Sequence, residues 1–213
     1  MTYLMKNRYM LKNIFRRKNG YDCWWHSFVG VARESGIKKS FFVEYYIINP
    51  GISRKEVVFG QVEAEIDKST KPSYAMIKAG AWGEDKCQIH NFFPMKKVRV
   101  NNGAFGVEIG DNILSETKLV GSVNMSNEDA RNHSEYMTDS GTMSWNLNLD
   151  KIISYSVGYG ASRFFRMFNL FETFWHVQGM RTRMMGEVVF NGLIYDVEPD
   201  KSYGYQDKNY GKE

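Results

Sequence analysis

From residue 20 onward, the chain consists of short apolar and aromatic runs separated by polar turns. The clearest run covers residues 142–149, where every second side chain from Met143 to Leu149 is apolar and the residues between them are polar. A period of two predicts a β-strand with one buried face, because successive side chains point to opposite sides of a sheet. Asn191-Gly192 separates two further runs, residues 182–190 and 193–197, and predicts a tight β-hairpin.

Runs of the same kind continue along the chain and predict an all-β fold. Residues 21–31 and 41–48 are rich in aromatic side chains, and the second run ends at Pro50, which cannot donate a hydrogen bond to a neighbouring strand. About ten short strands with almost no helix are typical of an antiparallel barrel or sandwich. A closed barrel of this size leaves an interior that can hold one small ligand. Residues 152–159 are less regular. The remaining predicted strands are residues 57–66, 75–82, 86–93, 98–100, 104–109, 113–123 and 174–180.

Three segments lack the strand pattern. Residues 1–18 place apolar side chains at a rough helical spacing, which predicts a short N-terminal helix or an arm packed on the barrel. A helix on a membrane surface is the alternative, but Lys6 and Arg8 interrupt the apolar stripe. Residues 124–139 are polar without any period and are predicted to be a mobile loop. Residues 164–171 are predicted to be a helical turn or a loop that plugs one end of the barrel.

Composition and charge narrow the function classes. Aromatic residues make up 15% of the chain, which suits strands and the walls of an apolar pocket. The net charge of +4 comes from scattered Lys and Arg residues, so no nucleic-acid partner is expected. The chain has no apolar run of the length that a membrane helix needs and no signal-peptide pattern, so we expect a cytoplasmic protein without membrane association. The two cysteines are expected to be reduced thiols, which agrees with that compartment.

The sequence shows no motif for a cofactor or a metal. It has neither a phosphate-binding glycine motif nor a His-Glu-x-x-His pattern, and its four histidines are not spaced as metal ligands. We therefore expect the protein to work without cofactor or metal.

Three segments carry short motifs of aromatic and polar residues. Residues 21–26 read Tyr-Asp-Cys-Trp-Trp-His, and a strand that ends in Asn-Pro follows them. Residues 171–176 read Phe-Glu-Thr-Phe-Trp-His, and residues 205–211 read Tyr-Gln-Asp-Lys-Asn-Tyr-Gly. In order and spacing, these segments resemble the tocopherol cyclase family and, more loosely, its lipocalin-like relatives of the AttH and carotenoid hydratase type.

The resemblance implies a lipocalin-like antiparallel β-barrel, over residues 19–213, that encloses an apolar prenyl, quinol or polycyclic molecule. In the family, the motif that corresponds to residues 205–211 lies mid-chain and is followed by a second β domain. Residues 203–213 are therefore expected to begin a second half, without which the barrel is incomplete. A second β domain supplied in trans is the partner that this implies.

The same resemblance implies cofactor-free cyclisation, isomerisation or hydration of the enclosed molecule. Asp207 is the candidate acid, since a carboxyl group in an apolar pocket has a raised pKa and can donate a proton. It stands where the family has Glu, and His176 stands where the family has Gln. The alternatives are a binding module without catalysis and half of a split two-domain protein. The candidate catalytic residues are Asp207, Lys208, Asn209 and His176, and the candidate ligand-binding residues are Trp24, Trp25, Tyr45, Glu172, Trp175 and Tyr210.

Several of these candidates also have a purely structural interpretation. Asp207 could pair with Lys208 or cap a turn. Trp24 could belong to the core while His26 faces solvent. Trp175 and His176 are neighbours on a predicted strand, so they cannot both face the interior unless the strand bulges.

Overall fold

The computed structural model describes residues 7–11, 19–60, 71–101, 103–155 and 173–212. Its strands form a single antiparallel sheet, which confirms the all-β prediction. Among the described residues, the only α-helix is α1 (Asn127–Asn132), a short one between two strands. The strands are β1 (Tyr21–Ala32), β2 (Lys38–Ile48), β3 (Tyr74–Trp82), β4 (Cys87–Phe93), β5 (Val98–Asn101), β6 (Gly106–Ile109), β7 (Asn112–Ser115), β8 (Lys118–Met125), β9 (Gly141–Tyr155), β10 (Thr173–Phe190), β11 (Leu193–Val197) and β12 (Gly204–Gly211).

The order of the strands explains how the sheet closes into a barrel. Neighbouring strands follow the order β4-β3-β2-β1-β11-β10-β9-β8-β7-β6-β5, and β12 pairs with both β1 and β10. Strands β11 and β12 therefore lie one after the other in the space between β1 and β10. Strand β4 meets β8 through Asn91, whose side chain donates to the carbonyl of Asn124 and accepts from its N–H, both at 2.9 Å.

The alternation read from the sequence decides which side chains enter the barrel. On β9, the odd-numbered residues from Met143 to Leu149 are buried and the residues between them are exposed, as predicted. On β1, the even-numbered side chains face inward. The predicted hairpin at Asn191-Gly192 is confirmed, because both residues have the positive φ angles (47° and 84°) that a tight hairpin turn requires.

The barrel has two chemically different ends. At the turn end, short connections over residues 33–37, 83–86 and 191–192 join the strands, and the interior is aromatic. There Phe41 packs against Phe190 and Tyr195, with ring centroids 5.7 and 5.0 Å apart. At the opposite end, residues 7–11 pack onto the strand ends, and we call this the arm end.

Several elements differ in detail from the prediction. Residues 127–132, predicted to lie in a loop, are helical because the side chain of Ser126 accepts from the N–H of Asp129 at 2.9 Å. The strand predicted over residues 113–123 is interrupted and forms β7 and β8. The two strands predicted over residues 174–190 are a single strand, β10, whose register shifts at bulges.

The ends of the predicted domain also have defined positions. Residues 7–11 are not helical, and Leu11 is buried in the core. Residues 204–211, predicted to begin a second half, form β12 within this barrel. The predicted loop at residues 164–171 and most of the strand predicted over residues 57–66 lie outside the described residues. Within the described part of the chain, no helix is long and apolar enough to cross a membrane.

The aromatic packing at the turn end generates a stability prediction. Phe41 is fully buried, so Phe41→Ala should lower the free energy of unfolding by about 3–5 kcal/mol. Ile37→Ala, at a position 65% exposed in the adjacent turn, should change it by less than about 0.5 kcal/mol. Chemical denaturation measures both values. Equal effects of the two substitutions would show that the barrel is not packed around Phe41.

Candidate functional site

A buried ion pair lies inside the barrel at the arm end. Asp22 enters from β1 and Lys208 from the adjacent strand β12, and the Lys208 ammonium donates to Asp22 Oδ1. Both side chains are 0% exposed. Trp24 lies directly across from Lys208 in the strand register, and the ammonium sits 3.8 Å from the centre of its ring. The site therefore combines a carboxylate, a cation and an aromatic surface, all shielded from solvent.

Burial moves the proton affinities of both partners towards neutral pH. Loss of solvation raises the pKa of Asp22 to about 6, although Lys208 and the Met10 N–H oppose that shift. Loss of solvation lowers the pKa of Lys208 to about 8, against the attraction of Asp22. A general acid or base works best when its pKa lies near the working pH, so this pair is suited to proton transfer.

Residues 7–11, the described part of the N-terminal arm, contact both Asp22 and Trp24. The N–H of Met10 donates to Asp22 Oδ2 at 2.6 Å, and the Trp24 indole N–H donates to the Asn7 carbonyl at 2.8 Å. The side chain of Asn7 donates to Glu116 at 3.0 Å and accepts from His176 Nε2 at 3.0 Å. Asn7 thereby bridges Glu116 and His176.

A second charged pair extends the site along the wall. Lys151, near the end of β9, binds Glu116 at 2.8 Å and has a side chain only 8% exposed. Its Nζ lies 3.5 Å from Gln178 Oε1 on β10. Burial lowers the pKa of Lys151, and Glu116 opposes that shift. The arm end therefore holds two ion pairs, whereas the interior of the turn end is aromatic.

Deeper in the barrel lie buried polar atoms that have no hydrogen-bond partner among the described residues. Among these atoms are His26 Nε2, Thr182 Oγ1 and the side-chain Nε2 and Oε1 of Gln206. His26 and Gln206 face each other across β1 and β12. His26 Nδ1 lies 3.3 Å from the Val43 carbonyl, to which it can only donate, so the lone pair is on Nε2. Burial, and then Lys151, lower the pKa of His26 to about 3 and keep the ring neutral.

The structure brings five of the predicted residues together inside the barrel. Lys208 and Trp24 contact each other, and His176 donates to Asn7. Tyr45 is fully buried beside Trp24 on β2. Tyr210 lies under the Lys208 ammonium, with 5.6 Å from Nζ to the ring centre.

The other predicted residues lie on the outer face or outside the described chain. Asp207 faces outward, because it alternates with Lys208, and it accepts from Trp175 Nε1 at 3.2 Å and Tyr205 Oη at 3.1 Å. Burial raises the pKa of Asp207, while these two donors lower it. Asn209 also donates to Asp207, at 3.4 Å. Trp25 stacks on the ring of Phe42 across the strand pair, 5.1 Å away, and Glu172 lies outside the described residues.

Two details of the sequence interpretation need correction. His26 does not face solvent, because residues two apart on a strand share a face and His26 therefore points inward with Trp24. Lys208 pairs with Asp22 and not with its neighbour Asp207. Asp22 is the site residue that the sequence analysis missed. The available signal was its position two residues before Trp24, which places a carboxylate on the buried face.

The exposed surface offers a weaker candidate. A cleft of about 740 Å³ lies at the turn end, between the β1–β2 turn, the β3–β4 turn and the β10–β11 hairpin. Two of its cations are held in surface ion pairs, Arg33 with Asp196 at 2.5 Å and Lys39 with Asp85 at 3.5 Å. Within the described residues, no three His, Cys, Asp or Glu side chains are grouped as metal ligands, and Cys23 and Cys87 are free. The arm end is therefore the stronger site.

Comparison with solved structures supports the fold. The chain superposes on the crystal structure of an AttH protein from Nitrosomonas europaea with a TM-score of 0.53 and 8% identity, covering 97% of this chain and 56% of that one. Kievitone hydratase from Nectria haematococca gives a TM-score of 0.46 and 13% identity over 90% of this chain and 48% of its own. No protein-family model matches the sequence, and no curated protein matches it.

The AttH likeness confirms the lipocalin-like β-barrel, and at 8% identity it shows the fold alone. The chain spans about half the length of these two structures. The likeness to tocopherol cyclases and the second β domain stay predictions.

The buried ion pair makes a prediction about stability. Lys208→Met leaves Asp22 as an unpaired buried carboxylate and should lower the free energy of unfolding by about 3–5 kcal/mol. The double variant Asp22→Leu/Lys208→Met should recover most of that loss, because both charges are then absent. The measurement is chemical denaturation at pH 7 of four proteins: the wild type, Asp22→Leu, Lys208→Met and the double variant. Together they form a double-mutant cycle.

An exposed pair provides the matched control for that cycle. Arg33→Met removes the surface contacts to Glu187 and Asp196 and should have a much smaller effect. A double variant no more stable than Lys208→Met would contradict the pairing.

His26 makes a prediction about pH. An unfolded chain binds a proton at His26 below about pH 6.5, whereas the folded protein does not until the pH approaches about 3. The contribution of His26 to the free energy of unfolding therefore decreases as the pH falls, by about 1.4 kcal/mol per pH unit. Asp22 has a raised pKa, so below about pH 6 it increases the free energy of unfolding as the pH falls. Both proteins in the comparison must therefore contain Asp22.

The measurement is urea denaturation of the wild type and of His26→Gln between pH 7 and 4.5. The difference in stability between the two proteins should shrink or reverse towards low pH. A difference independent of pH would show that His26 is not buried in its neutral form.

Proposed function

We propose that the protein binds an apolar small molecule with an oxygen-containing head, such as a prenylated quinol or a polycyclic enone, at the arm end of the barrel. The observation that carries this proposal is the fully buried Asp22–Lys208 pair on the ring of Trp24. Apolar residues can replace buried ion pairs without loss of stability, so stability alone does not explain the pair. A polar ligand group that uses both charges does explain it.

The surrounding side chains suit such a ligand. Trp24 stacks with Phe105 at 6.3 Å, and Tyr210 stacks with Phe174 at 5.0 Å, so flat aromatic surfaces flank the pair. Apolar walls with a few oriented polar groups are the usual composition of small-molecule sites. The likeness of residues 21–26 and 205–211 to tocopherol cyclase motifs agrees with a prenylated or quinol-like ligand.

Catalysis by proton transfer is the second candidate function, and the altered pKa values of the pair favour it. In this proposal the Asp22 carboxylate removes a proton from the carbon next to a ligand carbonyl. The Lys208 ammonium stabilises the negative charge that develops on the carbonyl oxygen. Asp22 then returns the same proton to a different carbon, so the double bond moves and no other reactant is consumed. Lys208 would disfavour a carbocation here, so the geometry favours isomerisation over alkene protonation.

The binding function is tested on the protein as purified. Native mass spectrometry before and after organic extraction should show a bound apolar molecule, and the extracted protein should bind a prenylated hydroquinone with quenching of tryptophan fluorescence. Asp22→Leu/Lys208→Met should weaken binding at least tenfold, whereas the surface variant Arg33→Met should not change it. No binding to the extracted wild type would rule the proposal out.

The catalytic function predicts a characteristic pH profile. With 3-cyclohexen-1-one as a generic probe, absorbance would follow its conversion to the conjugated ketone. The rate should rise through about pH 6 as Asp22 ionises and fall above about pH 8 as Lys208 loses its proton. Asp22→Asn should lower the rate by about 10²-fold or more, and Asp207→Asn on the outer face should not. Equal activity of Asp22→Asn and wild type would exclude this mechanism.

A further inference from the structure

The N-terminal arm places an aromatic ring on the surface that the proposed ligand would use. The ring of Tyr9 stacks on Trp24 with 6.5 Å between centroids and 22° between the planes. The Lys208 ammonium also contacts the ring of Trp24. Tyr9 is a phenol, and its pKa is raised by burial and by the nearby Asp22 carboxylate. A phenol ring next to Asp22 and Trp24 is therefore already present in the structure.

The polar contacts of the arm could be replaced by those of a small molecule. Asp22 receives one N–H from Met10, and the Trp24 indole N–H is accepted by one carbonyl, that of Asn7. A phenolic hydroxyl can supply both roles, because its hydrogen can be donated to a carboxylate and its oxygen can accept from an N–H. Buried groups that lose their partners are costly, so an occupant that displaces the arm must supply replacements.

The attachment of the arm is compatible with its release. In the described structure residues 7–11 belong to no strand, and the sheet closes through pairs that do not include them. Leu11 joins the apolar core and Tyr9 packs against it. The polar contacts of the segment are few: Asn7 binds Glu116 and His176, Arg8 binds the Gly103 carbonyl, and the Met10 N–H binds Asp22. Release of the segment would vacate the volume next to Trp24 that its side chains now occupy. The pairing between the strands would stay intact.

We infer that residues 7–11 occupy the ligand's own position, that Tyr9 stands in for the aromatic ring of a phenol or quinol, and that binding of such a molecule displaces the arm. This inference rests on the proposed binding function. It adds the chemical class of the ligand and makes the arm an internal competitor.

The Met10 amide reports arm displacement directly, because its N–H is bound to Asp22. Hydrogen exchange at this amide should be slow in the free protein and should accelerate at least tenfold when a prenylated hydroquinone saturates the site. The dimethyl ether of the same compound lacks the hydroxyl hydrogens and should bind at least tenfold more weakly.

Loosening the arm should strengthen binding of the hydroquinone. Asn7→Ala/Leu11→Ala in the full chain removes one polar and one apolar contact of the arm and should lower the dissociation constant at least tenfold. Tyr9→Ala keeps these two contacts but vacates the ring position, so it tests the same point if the double variant does not fold. Leu193→Ala, at an exposed leucine on β11, is the matched control and should leave the dissociation constant unchanged.

The outcomes separate this inference from the function on which it rests. If the hydroquinone binds while Met10 stays protected and the arm variants bind no tighter, the ligand site exists but the arm does not compete for it. If the ether binds as tightly as the hydroquinone, the phenolic class is wrong. If neither the wild type nor the variants bind the hydroquinone, the inference and the proposed function both fail.

Discussion

The structure of the arm end of the barrel depends on the buried ion pair between Asp22 and Lys208. Two opposite charges at 0% exposure are costly to bury without partners, and their further contacts come from different parts of the chain. Met10 donates to the carboxylate, and the ring of Trp24 accepts the ammonium on its face. Because β12 lies between β1 and β10, Lys208 can reach Asp22 only when the last described strand is inserted beside the first. The pair thus connects the two ends of the described chain.

The alternation of side chains on β12 divides one short motif between two environments. Lys208 and Gln206 face the interior, whereas Asp207 and Asn209 face outward towards Trp175. Three consecutive polar residues that read as a single catalytic group in the sequence therefore cannot act on one ligand. The acid that shares the interior with Lys208 is on another strand, and its surroundings shift its pKa upward by loss of solvation. The chemistry proposed for the site follows from this pairing, since a cation beside the carboxylate favours negative charge on a ligand oxygen.

The two ends of the barrel differ in the chemistry of their interiors. The turn end is closed by tight connections and filled by stacked aromatic rings, which suits a rigid base. The arm end holds the two ion pairs. Deeper in the barrel lie the neutral His26 and Gln206, whose side chains include atoms without a hydrogen-bond partner among the described residues. Departures from an apolar core of this kind are expected at functional sites. The arm satisfies part of that polar surface with its own backbone, which is why it can be both a structural element and a competitor for a ligand.

The sequence by itself determined the all-β class, most strand positions and the hairpin at Asn191-Gly192, because these depend on local alternation and turn chemistry. It also indicated the inward-facing Trp24 and the motif that contains Lys208. Only the tertiary structure decided that Asp22 and not Asp207 is the acid beside Lys208, and that His26 is buried. Those results depend on which strands become neighbours and on the register between them. Contacts between residues 186 positions apart, such as Lys208 with Asp22, leave no local pattern in the chain.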